Sequence, residues 1–562
     1  MYDYLIKNGL VVDGSGKPAV KADVAVKGDK VARIAPDIQE PAAEVYDAAG
    51  KYVIPGLIDP HVHEEWYCFD DGRYESYIRQ GVTTLINGNC SHSITPGHKK
   101  EVLDYYLGNG LVGLKQYQRY LRDWPDWHDF ESYAQAVEQV GTNCNFVTLL
   151  GHGSIRQYVM HGAYNRAPDE LEQAQIENII RHNMDQGAWG ISFGLDYVPS
   201  RYASMEELCN VVSQIKRYDA VSAAHLRHQI GIPESTAEFC EVGRRTGAKI
   251  QISHLASAVP EAYDIALKAI EEDGVRARID VIPSSVGHCT GKERMLLFTM
   301  ALSDELFSQG IEGVRRALHT PEGRAMIKKD NYTFAGPKDK VYIVNSDDPH
   351  LENRSVRDIA QERGIDEDDC MLDLLGDEKN YVFWLNAPAA NVPSNFIDHC
   401  ESIVKNPYVS VGSDTIMGDP ADPYDWYEIR RRGGFAIFAQ MYVGKGVPYE
   451  EVVRRNTSMV ADHFGIYKRG RLVEGNYADI AVIDLPNYRY PEMDQMQYKT
   501  PQMNATGCDL VLCNGKVELK DGDLLRTYAV VSFGKMPRAE RQPNQFQALQ
   551  RSCDEILLEV TT

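Results

Sequence analysis

The chain has 562 residues, of which 43% are apolar and 25% charged, and carries a formal net charge of -22 at pH 7. That length and apolar content provide for a large buried core and argue against disorder. The acidic balance would repel phosphate surfaces, so it argues against a nucleic-acid or anionic-membrane partner, and the 11 cysteines, odd in number and without framework spacing, read as reduced thiols.

The opening segment, MYDYLIKNGLVVDGSG, has no basic region followed by an unbroken apolar stretch. No run of about 18 apolar residues occurs anywhere, so a cytoplasmic, non-membrane protein is expected. Residues 1–50 read as short strands: Asn8-Gly9 in YLIKNGLVVDG predicts a hairpin turn, and ADVAVKGDKVARI predicts a second strand pair. ADIAVIDL and LVLCNGKVELKDG echo this near the other end, with Asn514-Gly515 in the turn. Isolated hairpins are unstable, so one small β-sandwich built from both termini, 1–52 plus 466–535, is expected.

Between them, residues 53–465 carry eight apolar runs separated by helix-length segments: VIPGLIDPH, VTTLINGNC, NFVTLLGH, AWGISFG, AVSAAHL, KIQISHL, ARIDVIP and YVSVGSD. Near-continuous apolar strands alternating with helices predict a covered parallel sheet, and eight of them predict an α/β fold of the (β/α)₈ TIM-like barrel type. The connection 284–407, before strand 8, contains helical patterns and two strand-like pieces, VYIVN and YVFWLN, and is read as a folded inserted subdomain. Residues 536–562 form a polar C-terminal tail.

Candidate ligands cluster where the strands end, the face on which barrel enzymes carry their chemistry. His61-x-His63 follows strand 1, with a spacing that puts both imidazoles on one side of an extended chain. Cys90 ends strand 2, His225 strand 5 and His254 strand 6; two imidazoles and a thiolate suit zinc and leave a position open. Asp414 closes strand 8, where a carboxylate could touch the metal and take a proton from bound water. Each has a plainer alternative: His-x-His as incidental, Cys90 as an apolar filler, either histidine as a core residue, Asp414 as a helix cap.

Taken together, IPGLIDPHVH, GVTTLINGNC, AHLRH, ISH, GSD and the closing RNTSMVADHFGIYKRGRLVEGNYADIAVID resemble the amidohydrolase superfamily, and specifically its N-acyl-D-amino-acid deacylase (D-aminoacylase) branch. GHGSIRQYVMHGAYNRAPDELE, GISFGLDYVPSRYASMEEL and SVRDIAQERGIDEDDCMLDLL extend the likeness over about 1–530. The resemblance implies that Cys90, which stands where other members carry a modified lysine, holds one tightly bound zinc with His225 and His254. It implies an optional second metal at His61, His63 and Asp414, with Asp414 as general base and acid while metal-bound hydroxide attacks a small-molecule amide. The implied fold is a barrel with a small sandwich from both termini.

The chain departs from that pattern around the substrate. EIRRRGGF keeps the branch's arginine as Arg430 but has Glu428 and Ile429 where His and Pro are usual, while Ala256, Ile282 and Ser284 replace a lysine and two tyrosines. Arg430, Arg227 and His228 are candidate substrate contacts; for Arg430 the alternative is a solvated arginine run, and Arg227 and His228 could equally orient other side chains. The lost carboxylate partners motivate a second expectation, a cyclic-amide hydrolase of the hydantoinase or dihydropyrimidinase kind, against which Cys90 argues. A non-catalytic barrel serving as a binding scaffold is the alternative of another class, and homo-oligomerisation stays open.

Overall fold

The computed structural model describes residues 1–161, 165–255, 259–283, 302–307, 310–330, 338–341, 343, 346, 348–352, 354–377, 401–416, 429–490 and 504–525. Eight short strands are the staves of a parallel barrel: β1 (Leu57–Asp59), β2 (Val82–Asn87), β3 (Asn145–Thr148, continued by Leu150–Gly151), β4 (Gly190–Gly194), β5 (Val221–His225), β6 (Lys249–Ile252), β7 (Ala277–Val281) and β8 (Val409–Val411). Each pairs in parallel with the next, β3 meeting β2 through its first piece and β4 through its second. Beyond its last paired residue β8 turns to β1: the Asp414 amide donates to the His61 carbonyl at 2.8 Å, and Thr415–Ile416 pairs in parallel with Val62–His63. The strands are buried on both faces, which is why each reads as an unbroken apolar run.

VIPGLIDPH is not one strand. Tyr52–Pro55 belongs to the terminal sheet, antiparallel to Ile480–Ile483, and β1 starts only at Leu57. Gly56 makes the switch, passing so close to β2 that a Cβ there would stand 2.1 Å from Thr83 Oγ1.

The terminal sheet has nine strands, in the order Asp523–Leu524, Lys516–Lys520, Cys508–Cys513, Ile480–Ile483, Tyr52–Pro55, Tyr2–Val11, Val20–Lys27 and Lys30–Ala35, with Ala42–Asp47 also on Tyr2–Val11. Residues from both ends of the chain, among them Ile6, Val24, Val53, Ile480 and Leu512, share one core. Asn8-Gly9 does not turn the chain as expected. Tyr2–Val11 runs straight through, its register slips between Ile6 and Gly9, and the Asn8 amide, at φ 62°, donates to Asp23 Oδ1 at 2.8 Å. The pair is a bulge, because a side-chain acceptor replaces the ladder bond. Asn514-Gly515 is a true two-residue turn, with φ 52° and 75° and Cys513 paired to Lys516.

The insertion before β8 has its own apolar core. Helices Gly310–Ala317, Pro321–Asp330, Val356–Arg363 and Glu367–Gly376 gather Val314, Ile327, Ile359, Met371 and Leu375, all nearly inaccessible. VYIVN forms no strand among the described residues, although Val341 and Ile343 exchange backbone bonds with Val356 and Arg354. YVFWLN and residues 536–562 lie outside the described residues. No described helix is long and apolar enough to cross a membrane.

Candidate metal centre

Six side chains converge at the C-terminal mouth of the barrel. His61 and His63 follow β1, Cys90 follows β2, His225 is the last residue of β5, His254 follows β6 and Asp414 follows β8. Cys90 Sγ lies 3.2 Å from His61 Nε2 and 3.5 Å from His254 Nε2, and His254 Nε2 is 3.0 Å from His225 Nδ1. Asp414 Oδ1 is 3.4 Å from the Nε2 atoms of both His61 and His63. Bonds of about 2.0–2.3 Å to a tetrahedral zinc separate its donors by roughly 3.3–3.8 Å; the separations of 3.4 and 3.5 Å match that range, and those of 3.0 and 3.2 Å are tighter. Cys90 stands between the two groups, touching His61 on one side and His254 on the other.

Three of the six donors hold left-handed backbone: Cys90 at φ 50°, His254 at 34° and Asp414 at 49°, with Ser91 next to Cys90 at 75°. Such residues are strained by about 1–3 kcal/mol each and persist where neighbours over-determine them. For Cys90–Ser91 the neighbour is the GHGS turn after β3: Gly153 N donates to Ser91 Oγ at 2.6 Å, Gly151 N to Ser93 Oγ at 2.8 Å, and Ser93 N to Ser154 Oγ at 3.0 Å. Gly88 lets the two loops touch, since a Cβ there would lie 2.1 Å from the Leu149 carbonyl oxygen. The His254 amide is held by Asp280 Oδ1 at 2.8 Å.

The electrostatics match the chemistry of a cation site. Burial alone would raise the Cys90 thiol, yet the His61 imidazolium and hydrogen bonds from His225, His254 and His61 bring it well below its ordinary value. Asp414 likewise sits well below the usual carboxylate range, burial being outweighed by His254, His61 and His63. In return, and against their burial, His63 rises to about 10 through Asp414 and Cys90, and His225 to about 9 through Asp196 and Cys90. A thiolate and a carboxylate are thus balanced by positive charge among the imidazoles. The approach is from the Asp414 side: its side chain is 16% exposed and that of His63 10%, whereas His61 is fully buried.

Residues not singled out from the sequence hold these donors in place. Asp196, two residues past β4, accepts at Oδ2 from His225 Nε2 at 3.1 Å and from His228 Nδ1 at 2.9 Å, and at Oδ1 from the His228 amide at 2.9 Å. That bond directs His225 Nδ1 toward Cys90 and His254. Asp59 Oδ1 ties β1 to β8 by accepting from the His61 and Ser413 amides at 3.1 Å each, and burial pushes its carboxyl up to about 7 against those bonds. Asp280 binds the His254 amide and, at 2.7 Å, Gln251 Nε2. Glu64, beside His63, pairs with Arg431 at 2.8 Å, both side chains nearly buried.

The expected substrate contacts are placed unevenly. His228 is half-exposed beside the centre, hydrogen-bonded to Asp196. Arg227 spends its guanidinium on the Arg201 and Ala203 carbonyls and on Glu238, bracing the turn after β4. Arg430 lies in the first turn of helix Ile429–Gly444, and its side chain is outside the described residues. Arg431, next in the arginine run, reaches inward to Glu64.

A family model described as the amidohydrolase family matches residues 44–259. The D-aminoacylase of Alcaligenes xylosoxydans xylosoxydans is 26% identical, an alignment covering 92% of this chain and 94% of that protein. The crystal structure of N-acyl-D-glutamate deacylase from Bordetella bronchiseptica, solved with zinc and a phosphonate mimic of the tetrahedral intermediate, superposes with a TM-score of 0.70 at 22% identity, over 93% of this chain and 99% of that one. A D-hydantoinase from Thermus sp. is matched more loosely, with a TM-score of 0.52 at 16% identity over 96% and 99% of the two chains. At these identities the likeness of the solved structures bears on the fold alone.

Proposed function

We propose that this chain is an amidohydrolase that hydrolyses the C–N bond of a linear amide, an N-acyl-D-amino acid or a close relative, at the centre around Cys90. The observation that carries the proposal is the meeting of a thiolate, imidazoles and a carboxylate, each within 3.0–3.5 Å of at least one other donor, where the barrel strands end. Zinc is the fitting ion, since borderline-soft thiolate and imidazole donors select it, with Cys90, His225 and His254 as the tight set and His61, His63 and Asp414 as a second, optional one. Bound there, zinc supplies a Lewis acid for the amide carbonyl and lowers the pKa of a coordinated water toward neutrality.

The chain's own residues do the rest. Asp414, on the exposed side of the cluster, takes the proton of the attacking water and returns it to the leaving nitrogen. Cys90 and His254, on left-handed backbone clamped by the GHGS turn and Asp280, keep their donors in one geometry, so little reorganisation is needed during the reaction. Arg430 and His228 are the proposed contacts to the polar end of the substrate. The D-aminoacylase likeness over nearly the whole chain supports a linear amide.

The test is a hydrolysis panel on zinc-loaded enzyme, setting N-acyl-D- and N-acyl-L-amino acids against hydantoins, dihydropyrimidines and simple amides. Chelator-sensitive release of free D-amino acid is the expected result. Turnover of ring substrates alone would move the assignment to the cyclic-amide hydrolases. A protein that neither retains zinc nor hydrolyses anything in the panel would be a scaffold.

A further inference from the structure

Tyr77, on the one-turn helix Glu75–Ile78, is 1% exposed and takes no part in the chemistry proposed above. Its hydroxyl donates to Glu64 Oε1 at 3.1 Å and shares a second hydrogen bond with Thr415 Oγ1. Glu64 directly follows His63, and Thr415 directly follows Asp414. One phenol thus bridges the residues next to two proposed donors, which themselves stand 3.4 Å apart.

Both ends of the bridge are anchored. The Glu64 amide donates to Asn87 Oδ1 at 3.0 Å, its carbonyl accepts from the Tyr74 hydroxyl at 2.8 Å, and its carboxylate pairs with Arg431 at 2.8 Å. Tyr74 and Tyr77, three residues apart, therefore grip Glu64 by its backbone and by its side chain. Arg431 is fixed in turn, since its carbonyl accepts from Gln80 Nε2 at 2.6 Å while Gln80 Oε1 accepts from the Phe435 amide at 3.0 Å. At the other end, Thr415 opens the two-residue pairing of Thr415–Ile416 with Val62–His63.

That short pairing is where the end of β8 meets the chain leaving β1, on the side from which the centre is approached. Two paired residues offer few bonds to resist pivoting, and the Tyr77 bridge adds a tie between side chains across the same seam. Position matters there, because a general base works only within hydrogen-bond reach of its proton, and a displacement of about 1 Å can cost on the order of 10²-fold in rate.

We propose that Tyr77 is a positioning residue: by tying Thr415 to the Glu64–Arg431 pair it holds the Asp414 carboxylate beside His63, where it meets the attacking water. The proposal rests on Asp414 being the base of an amide hydrolase.

The experiment uses full-length zinc-loaded wild type, Tyr77→Phe, Thr415→Val and the double variant, with one N-acyl-D-amino acid that wild type hydrolyses. Each single substitution removes a hydroxyl and nearly keeps the shape of the side chain. The expected result is a kcat about 10-fold lower in each single variant, with KM and the affinity for the tight zinc, read by chelator competition, both within about twofold. The double variant should be no slower than the slower single one, because both changes break the same bridge. Crystals of zinc-loaded Tyr77→Phe should show the Asp414 carboxylate turned away from His63. An unchanged kcat in both single variants, losses that multiply in the double one, zinc affinity falling together with kcat, or an unmoved Asp414 carboxylate would each overturn the positioning role and leave the amidohydrolase assignment standing. Wild type that loads zinc yet hydrolyses no member of the wider amide panel would overturn both.

Discussion

Replacing Asp196 by Asn tests whether the metal donors are aimed by a hydrogen-bonded partner or merely crowded together. In the native site the carboxylate accepts three bonds: from His225 Nε2 at 3.1 Å, His228 Nδ1 at 2.9 Å and the His228 amide at 2.9 Å. A proton on His225 Nε2 leaves Nδ1 bare, and Nδ1 is the nitrogen facing Cys90 and His254. Asparagine has the same shape but one oxygen, so its amide NH₂ must take the place of Oδ2, facing His225 Nε2 and His228 Nδ1, or of Oδ1, facing the His228 amide. In the first case His225 is driven to the wrong tautomer, with the proton on the ligating nitrogen; in the second the loop loses its anchor. Either way at least one charge-assisted bond is lost, about 1.5–3 kcal/mol, which corresponds to roughly a 10-fold to 150-fold weaker zinc affinity. Zinc dissociation constants measured by competition with a chromophoric chelator, on protein checked for native circular dichroism, give the answer. Affinity unchanged within about twofold would refute the aiming role of Asp196.

Asp414→Asn should keep the zinc held by Cys90, His225 and His254 and lower kcat by about 10²-fold to 10⁴-fold, the usual contribution of a positioned general base; metal analysis beside steady-state kinetics separates the two effects. Cys90→Ala, by contrast, should remove tight zinc itself, and a variant with stoichiometric zinc after dialysis would exclude the thiolate as a ligand. Glu207 provides a pH test away from the centre. It is buried against His152 at 3.1 Å and Arg156 at 2.7 Å, and those partners outweigh burial and lower its carboxyl from 4.5 to about 2. A depressed carboxylate contributes stability above its unfolded pKa and loses it as pH falls, here between about 4.5 and 2, on the order of 3 kcal/mol in all. Urea midpoints should therefore fall more steeply from pH 5 to pH 3 in wild type than in Glu207→Gln, and parallel curves would refute the assignment.

The barrel was legible because its strands are buried on both faces. Covered parallel strands have no polar side, so AVSAAHL or KIQISHL stands out as a short apolar block, and the residue that breaks each block marks where the chain emerges at the mouth. The placement of His225, His254, Cys90 and Asp414 at the strand ends was readable for that reason. Asn8-Gly9 misled because the dipeptide reports only a left-handed step; whether that step reverses the chain or bulges it depends on Asp23, which accepts the Asn8 amide. Arg431 was hidden in a run of three arginines, since neighbours on a helix differ by about 100° of rotation and nothing local says which one faces Glu64. Asp196 and Asp280 do leave faint marks, an acid just past GISFG and another inside ARIDV. Their partners, however, lie on other strands: Gly194 pairs with His225 and Ile252 with Ile279, and only that register brings each carboxylate to its histidine.

The left-handed donors account for how such a site can be both strained and stable. Cys90, His254 and Asp414 lie two or three residues past the last residue of their staves, where the chain changes direction while the side chain stays at the mouth. Glycine would take that turn without strain but offers no ligand, and so the proposed ligand residues themselves occupy the turn. The cost, about 1–3 kcal/mol at each, is offset locally by bonds that exist only in this conformation: the GHGS turn on Ser91 and Ser93, Asp280 on the His254 amide, the His61 carbonyl on the Asp414 amide. All three supports come from a neighbouring stave, β3 beside β2, β7 beside β6 and β1 beside β8, so the geometry of each donor depends on closure of the whole ring. Metal binding and barrel assembly are therefore linked, and an ion that binds the finished arrangement stabilises the fold by the same free energy with which the fold holds the ion.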